Sequence, residues 1–159
     1  MGHDESRDRA RRTGLTLFID TAVLMYAGGQ EHSLRAPCRE LLGHVGDQRV
    51  DAVTSAEVIQ EIFHRFVGAG HAQVGIEMAR AALDLFAPVL PISHAVMARM
   101  PGLALQYPGM SSRDLVHVAT CMEEGIGVIV SPDRAFDQVE GLRRVAPDDG
   151  ASIAAELRR

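Results

Sequence analysis

The sequence predicts an α/β fold: a single domain with a central, mostly parallel β-sheet and helices on both of its faces. Short uncharged apolar runs alternate with segments of helical periodicity along most of the chain, as they do where strands and covering helices follow one another. The runs are bounded by Gly, Pro, Asp and Ser, residues that close strands and open or end helices. With 159 residues, 47% apolar and 23% charged, the chain has the length and composition to bury one core of ordinary size.

Residues 1–13, MGHDESRDRARRT, are polar, arginine-rich and aperiodic, and are expected to form a flexible N-terminal arm before a domain at 14–147. The first strand is expected at 15–19, an apolar run that stops at Asp20. A short helix follows and ends at Gly28-Gly29, since glycine readily terminates helices. Further helices are expected from Ser33 to about Val45 and, after a strand at 50–54, from Ser55 to about Val67. On the latter, Val58, Ile59, Ile62, Phe63 and Phe66 share one stripe, the expected core face, with Glu57 and Glu61 on its flank. After GAG at 68–70 come a helix in HAQVGIEMARAALDLF, a strand at 88–92, and helices in SHAVMARMPGLALQ and SSRDLVHVATCMEEG. Strands at 126–130 and 142–146 follow, and residues 148–159 read as a C-terminal helix or tail.

Composition excludes several chemistries. Every one of the sixteen basic residues is arginine, so a P-loop and any Schiff-base mechanism are ruled out for want of a lysine. Arginine forks suit phosphate, but a preference for arginine codons produces the same composition. Cys38 and Cys121 lie far apart and form neither a disulfide framework nor a zinc set; they are expected to be buried, reduced thiols. No apolar run is long enough to span a bilayer as a helix, and the protein is expected to be cytoplasmic.

Asp20 raises a question, because it ends what reads as the most buried strand. In parallel sheets ligands gather at the carboxyl ends of strands. Asp133, in VIVSPDRAF, stands in the same relation to a later strand. Asp114 opens a helix behind Ser111, and Glu61 sits on a helix flank. Each has a structural explanation of its own: Asp20 as an N-cap, Asp133 in a Ser-Pro-Asp turn, Asp114 in a capping box with Ser111, Glu61 in a surface pair with Arg65. Together, acids at two strand ends, a helix start and a helix flank suggest carboxylates converging on a cation, since like charges brought close repel unless compensated. Oxygen donors without histidine or thiolate select Mg²⁺ or Mn²⁺, which serve phosphoryl chemistry. His117 and Cys121, one helical turn apart among apolar neighbours, are expected to belong to the core.

In order, LFIDTAVLMYA, TSAEVIQEI, MSSRDLVHVATCMEEGI and VIVSPDRAFDQVEGLRRVAP resemble the four acidic motifs of the PIN domain, especially those of VapC-type toxin ribonucleases. The resemblance covers about 15–147. It implies that Asp20, Glu61, Asp114 and Asp133 form the catalytic and metal-holding set, Glu61 rather than Glu57 because it follows Ser55 by six positions. Thr21, Ser131 and Asp137 would lie around them, contacting substrate or the acids. It further implies a Mg²⁺- or Mn²⁺-dependent endoribonuclease that hydrolyses RNA to 5′-phosphate and 3′-hydroxyl ends, works as a homodimer and is inhibited by a cognate antitoxin. The alternative is an inactive PIN-like module that binds RNA or antitoxin. A haloacid-dehalogenase phosphatase would want an acid where Ala22 stands, and a phospho-receiver domain would want a lysine.

Overall fold

The structure, a computed structural model, describes residues 16–157. Residues 1–13, expected to be an arm, fall outside it, as does Leu15 at the start of the first expected strand. In chain order the elements are β1 (Leu17–Ile19), α1 (Thr21–Gly28), α2 (Arg35–Gly46), β2 (Ala52–Val53), α3 (Ala56–Gly68), α4 (Ala72–Leu85), α5 (His94–Ala98), α6 (Met100–Gln106), α7 (Ser112–Glu124), β3 (Val128–Val130), a 3₁₀ turn (Arg134–Gln138), β4 (Arg143–Val145) and α8 (Gly150–Leu157).

Among the described residues the sheet has four strands in the order β2-β1-β3-β4, and every pairing is parallel. Leu17, Phe18 and Ile19 are all buried, as are Val128, Ile129 and Val130. Successive residues of a strand face opposite sides, so both faces of the central pair are covered. The chain leaves β1 to build β2 on one side and later returns to place β3 on the other. The carboxyl ends of β1 and β3 therefore flank a topological switch point, where open α/β sheets form their ligand crevices.

Two expected elements differ. The strand at 88–92 is reduced to a single parallel bridge, Leu90 to Ser55, held by Leu90 N–H to the Thr54 carbonyl at 2.9 Å and Ala56 N–H to the Leu90 carbonyl at 2.8 Å. Pro88 removes the next donor on one side and the partner segment turns into α3 at Ala56 on the other, so a longer ladder does not form. The helix expected over SHAVMARMPGLALQ is split into α5 and α6, with Pro101 in the first turn of α6. There its missing N–H costs nothing, whereas a continuous helix would set its ring against the carbonyl four residues back.

Packing also corrects one face. Val58 and Ile62 of α3 are fully buried, but Phe63 is 39% exposed. Helix α4 folds back on α3, and Gly75 allows the closest approach: a Cβ there would stand 2.8 Å from the Phe66 Cβ. Cys38 and Cys121 are free and buried, as expected. Burial and the nearby Asp148 carboxylate push the Cys38 thiol up to about 11, and burial raises Cys121 further. Among the described residues no helix is long and apolar enough to cross a membrane.

Candidate active site

Asp20 follows β1 directly and caps α1. Its Oδ1 accepts the Thr21 N–H at 2.7 Å, so the capping reading holds. Its Oδ2 accepts a second bond, from the Ser131 hydroxyl at 2.6 Å. The sheet register dictates that meeting, because Ile19 pairs with Val130 and so the residues just beyond, 20 and 131, fall side by side. The Ser131 Oγ in turn accepts the Asp133 N–H at 3.0 Å, tying one strand-end acid to the other. Asp133 caps the 3₁₀ turn, its Oδ1 accepting the Ala135 N–H at 2.9 Å. Arg144 fastens the same loop from behind: its guanidinium donates to the Ser131 carbonyl at 3.0 Å and to Asp137 at 2.7 Å. Asp137 is thus occupied with Arg144, which holds its carboxyl below the usual range, and it does not line the cavity formed by the other acids.

Asp114 lies in the first turn of α7, where its N–H donates to the Ser111 hydroxyl at 3.2 Å. That half of the expected capping box is present. Glu61, from the flank of α3, does not pair with Arg65 among the described residues. Its Oε1 stands 2.9 Å from His117 Nε2, which is also 3.5 Å from Asp20 Oδ1. The His117–Glu61 approach is a close ion pair rather than an aligned hydrogen bond, and the histidine's Nδ1 has no bonding partner. His117 is 1% exposed and so does belong to the core. Its expected surroundings need correction, however, since its ring edge reaches two carboxylates.

Asp20, Glu61, Asp114 and Asp133 all line one open cavity of about 1140 Å³, with Thr21 beside them. The charges there are mutually strained. Burial pushes Asp20 above the ordinary carboxylate range despite the opposing pull of His117 and Ser131. Burial also raises Asp114, with Asp133 and Asp20 adding repulsion. Burial alone would raise Glu61 too, but contact with His117 outweighs it and leaves that carboxyl below its usual value. Correspondingly, burial would lower His117, yet Glu61, Asp20 and Asp114 together raise it, so the imidazolium is favoured.

Among the described residues no three His, Cys, Asp or Glu side chains form a closed metal-binding group. The arrangement nevertheless suits Mg²⁺ or Mn²⁺. Such ions keep several waters and take one or two carboxylates together with substrate phosphate, rather than a full protein cage. The Asp114 carboxyl, buried and repelled by Asp133 and Asp20, would gain from a cation.

Sequence reasoning set His117 aside. A signal was available: on α7 it follows Asp114 by three positions, a spacing that puts both on one face of a helix. Arg65 and Arg113 also line the cavity; their spacing gives a signal, since Arg65 stands one helical turn after Glu61 and Arg113 directly precedes Asp114.

The PIN domain family matches residues 17–142 of the chain. The sequence is 36% identical over 120 residues to Ribonuclease VapC23 of Mycobacterium tuberculosis, which covers 76% of this chain and 94% of that protein. The fold is similar to that of DNA-bound VapBC from Salmonella typhimurium, with a TM-score of 0.66, 14% identity and coverage of 84% of this chain and 98% of the other. It is similar as well to a toxin-antitoxin complex from Klebsiella pneumoniae, with a TM-score of 0.59 and 19% identity over 82% of this chain and 97% of the other. The family match spans all the strand ends that carry the acids and the relative is matched over nearly its whole length; the chain belongs to the PIN domain family, in its VapC-type ribonuclease branch.

Proposed function

We propose that this chain is a Mg²⁺- or Mn²⁺-dependent endoribonuclease, the toxin of a toxin-antitoxin pair, and that Asp20, Glu61, Asp114 and Asp133 are its working residues. The observation that carries the reading is the convergence of these acids, from four distant parts of the chain, on one cavity at the switch point between β1 and β3. Family membership and a ribonuclease relative point to the same chemistry.

In this reading Asp20, Asp114 and Asp133 would hold the cation, with Glu61 beside them. When bound, the metal would supply charge neutralisation at the phosphate and a water of lowered pKa, the chemistry that phosphodiester hydrolysis to 5′-phosphate and 3′-hydroxyl ends calls for. The chain's own residues do the positioning. Ser131 fixes the rotation of Asp20 through its Oδ2 and holds the Asp133 backbone with the same oxygen. His117 restrains Glu61 and offsets part of the anionic charge beneath the site. Arg65 and Arg113, on the cavity walls, offer guanidinium groups to flanking phosphates. Membership of the VapC branch supports a cognate antitoxin as protein partner, a homodimer as working form and the cytoplasm as place of action.

The test is incubation of purified, partner-free protein with total RNA, with and without chelator, and with Asp114→Asn in parallel. Metal-dependent new 5′ ends that disappear in the variant are expected. RNA binding that is indifferent to chelator, with no cleavage, would instead identify a binding module and end the catalytic assignment.

A further inference from the structure

The cavity has a second feature that the acids do not use. Tyr26, on α1, and His32, in the turn after it, hold their rings 4.4 Å apart between centroids and tilted by 31°, and both line the same cavity as the carboxylates. The chain is poor in aromatics: it has five phenylalanines, two tyrosines and no tryptophan. Phe18, Phe86, Phe136 and Tyr107 are spent on the core, and the Tyr107 hydroxyl accepts the Glu140 N–H. Tyr26 is instead half-buried at the cavity wall and His32 is exposed. The histidine ring is also fixed in direction, because its Nδ1 accepts the Leu34 N–H at 3.1 Å. Along α1, six residues at about 1.5 Å each set Tyr26 about 9 Å beyond Asp20, within reach of a nucleotide adjoining a phosphate at the acids.

We infer that the Tyr26–His32 pair is a base-stacking subsite, which holds an unpaired nucleobase of RNA next to the phosphate presented to the carboxylates. The inference rests on the ribonuclease reading and specifies its substrate as single-stranded at that position, since a base inside a duplex has no free face to offer. Stacking on an aromatic is tolerant of sequence because every base has a π-face, and Arg65 and Arg113 in the same cavity suit the flanking backbone. His32 also bonds within the turn that follows α1, and the variants below separate that role from stacking.

The experiment measures binding of two fluorescein-labelled strands to the full chain carrying Asp114→Asn, in millimolar Mg²⁺: an octa-adenylate, and an octamer of the same sugar-phosphate backbone without bases. Added Tyr26→Leu, which keeps apolar bulk, is expected to weaken the octa-adenylate about tenfold and the base-free strand less than twofold. Tyr26→Phe, which keeps the ring, is expected to stay within twofold on both. With no tryptophan in the chain and Tyr107 buried, the part of the tyrosine emission that octa-adenylate quenches is expected to come from Tyr26 and to vanish in Tyr26→Phe. Unchanged binding of octa-adenylate by Tyr26→Leu, or equal loss on both strands, would overturn the subsite. Failure of the ribonuclease reading is distinguished by the unmodified protein: it would leave total RNA uncut with Mg²⁺ present, whatever Tyr26 does to binding.

Discussion

At the scale of single residues, Ser131 is the hinge of the site. One buried hydroxyl donates to Asp20 and accepts from the Asp133 backbone, so two strand-end acids share one anchor. Ser131→Ala is expected to lower stability by about 1–3 kcal/mol, the worth of a hydrogen bond to a carboxylate whose partner is then left buried. It should lower cleavage as well, because Asp20 loses its fixed rotamer. Denaturant melts and a cleavage assay check this; unchanged values in both would show that Asp20 is oriented by its own cap alone. Asp114→Asn separates stability from activity. The raised pKa of Asp114 means that its contribution to stability is full below the ordinary carboxylate range and is lost as pH rises through the folded value. At pH 7 its charge therefore weighs against the metal-free fold, and the variant is expected to be at least as stable as the parent while cleaving orders of magnitude more slowly. A destabilised variant at pH 7 would contradict the repulsion argument.

At the scale of elements, the α3–α4 hairpin sets the wall on which Glu61, Arg65 and Phe66 stand. Gly75 permits the contact, and its substitution by alanine would press a methyl against the Phe66 Cβ and, beyond it, the Ile62 carbonyl. Neither can swing away, so Gly75→Ala is expected to cost about 1–3 kcal/mol by overpacking. Gly28→Ala makes the control: its Cβ would meet only the terminal methyl of Met78, a flexible end that can rotate aside. Melting both variants decides the matter, and equal stability would mean that the hairpin adjusts more readily than its packing implies. Elements were unevenly legible in the sequence. α1, α3 and α7 could be read because caps and glycines mark their ends, including Gly125 at a positive φ of 67° after α7. The expected strand at 88–92 failed because an apolar run predicts burial, while a ladder needs the N–H that Pro88 lacks and an extended partner, which ends where α3 begins at Ala56.

For the whole molecule, the consequence of gathered acids is linkage. A cation that binds only the assembled cavity stabilises the folded state by mass action, and millimolar Mg²⁺ or Mn²⁺ is expected to raise the melting temperature, less so in Asp114→Asn. No shift in the parent protein would count against a divalent ion at this site. The sequence by itself determined the alternation of strands and helices, the positions where acids interrupt apolar runs, and the family. Those features are local, since periodicity, caps and motif order are written in neighbouring residues. Only the tertiary structure decided which acids share a cavity, that His117 reaches two of them from inside the core, that Asp137 is held by Arg144 instead, and that Tyr26 meets His32 beside them. Such contacts depend on strand order and register, which join residues more than a hundred positions apart, as Asp20 and Ser131 are, and no local pattern encodes that distance.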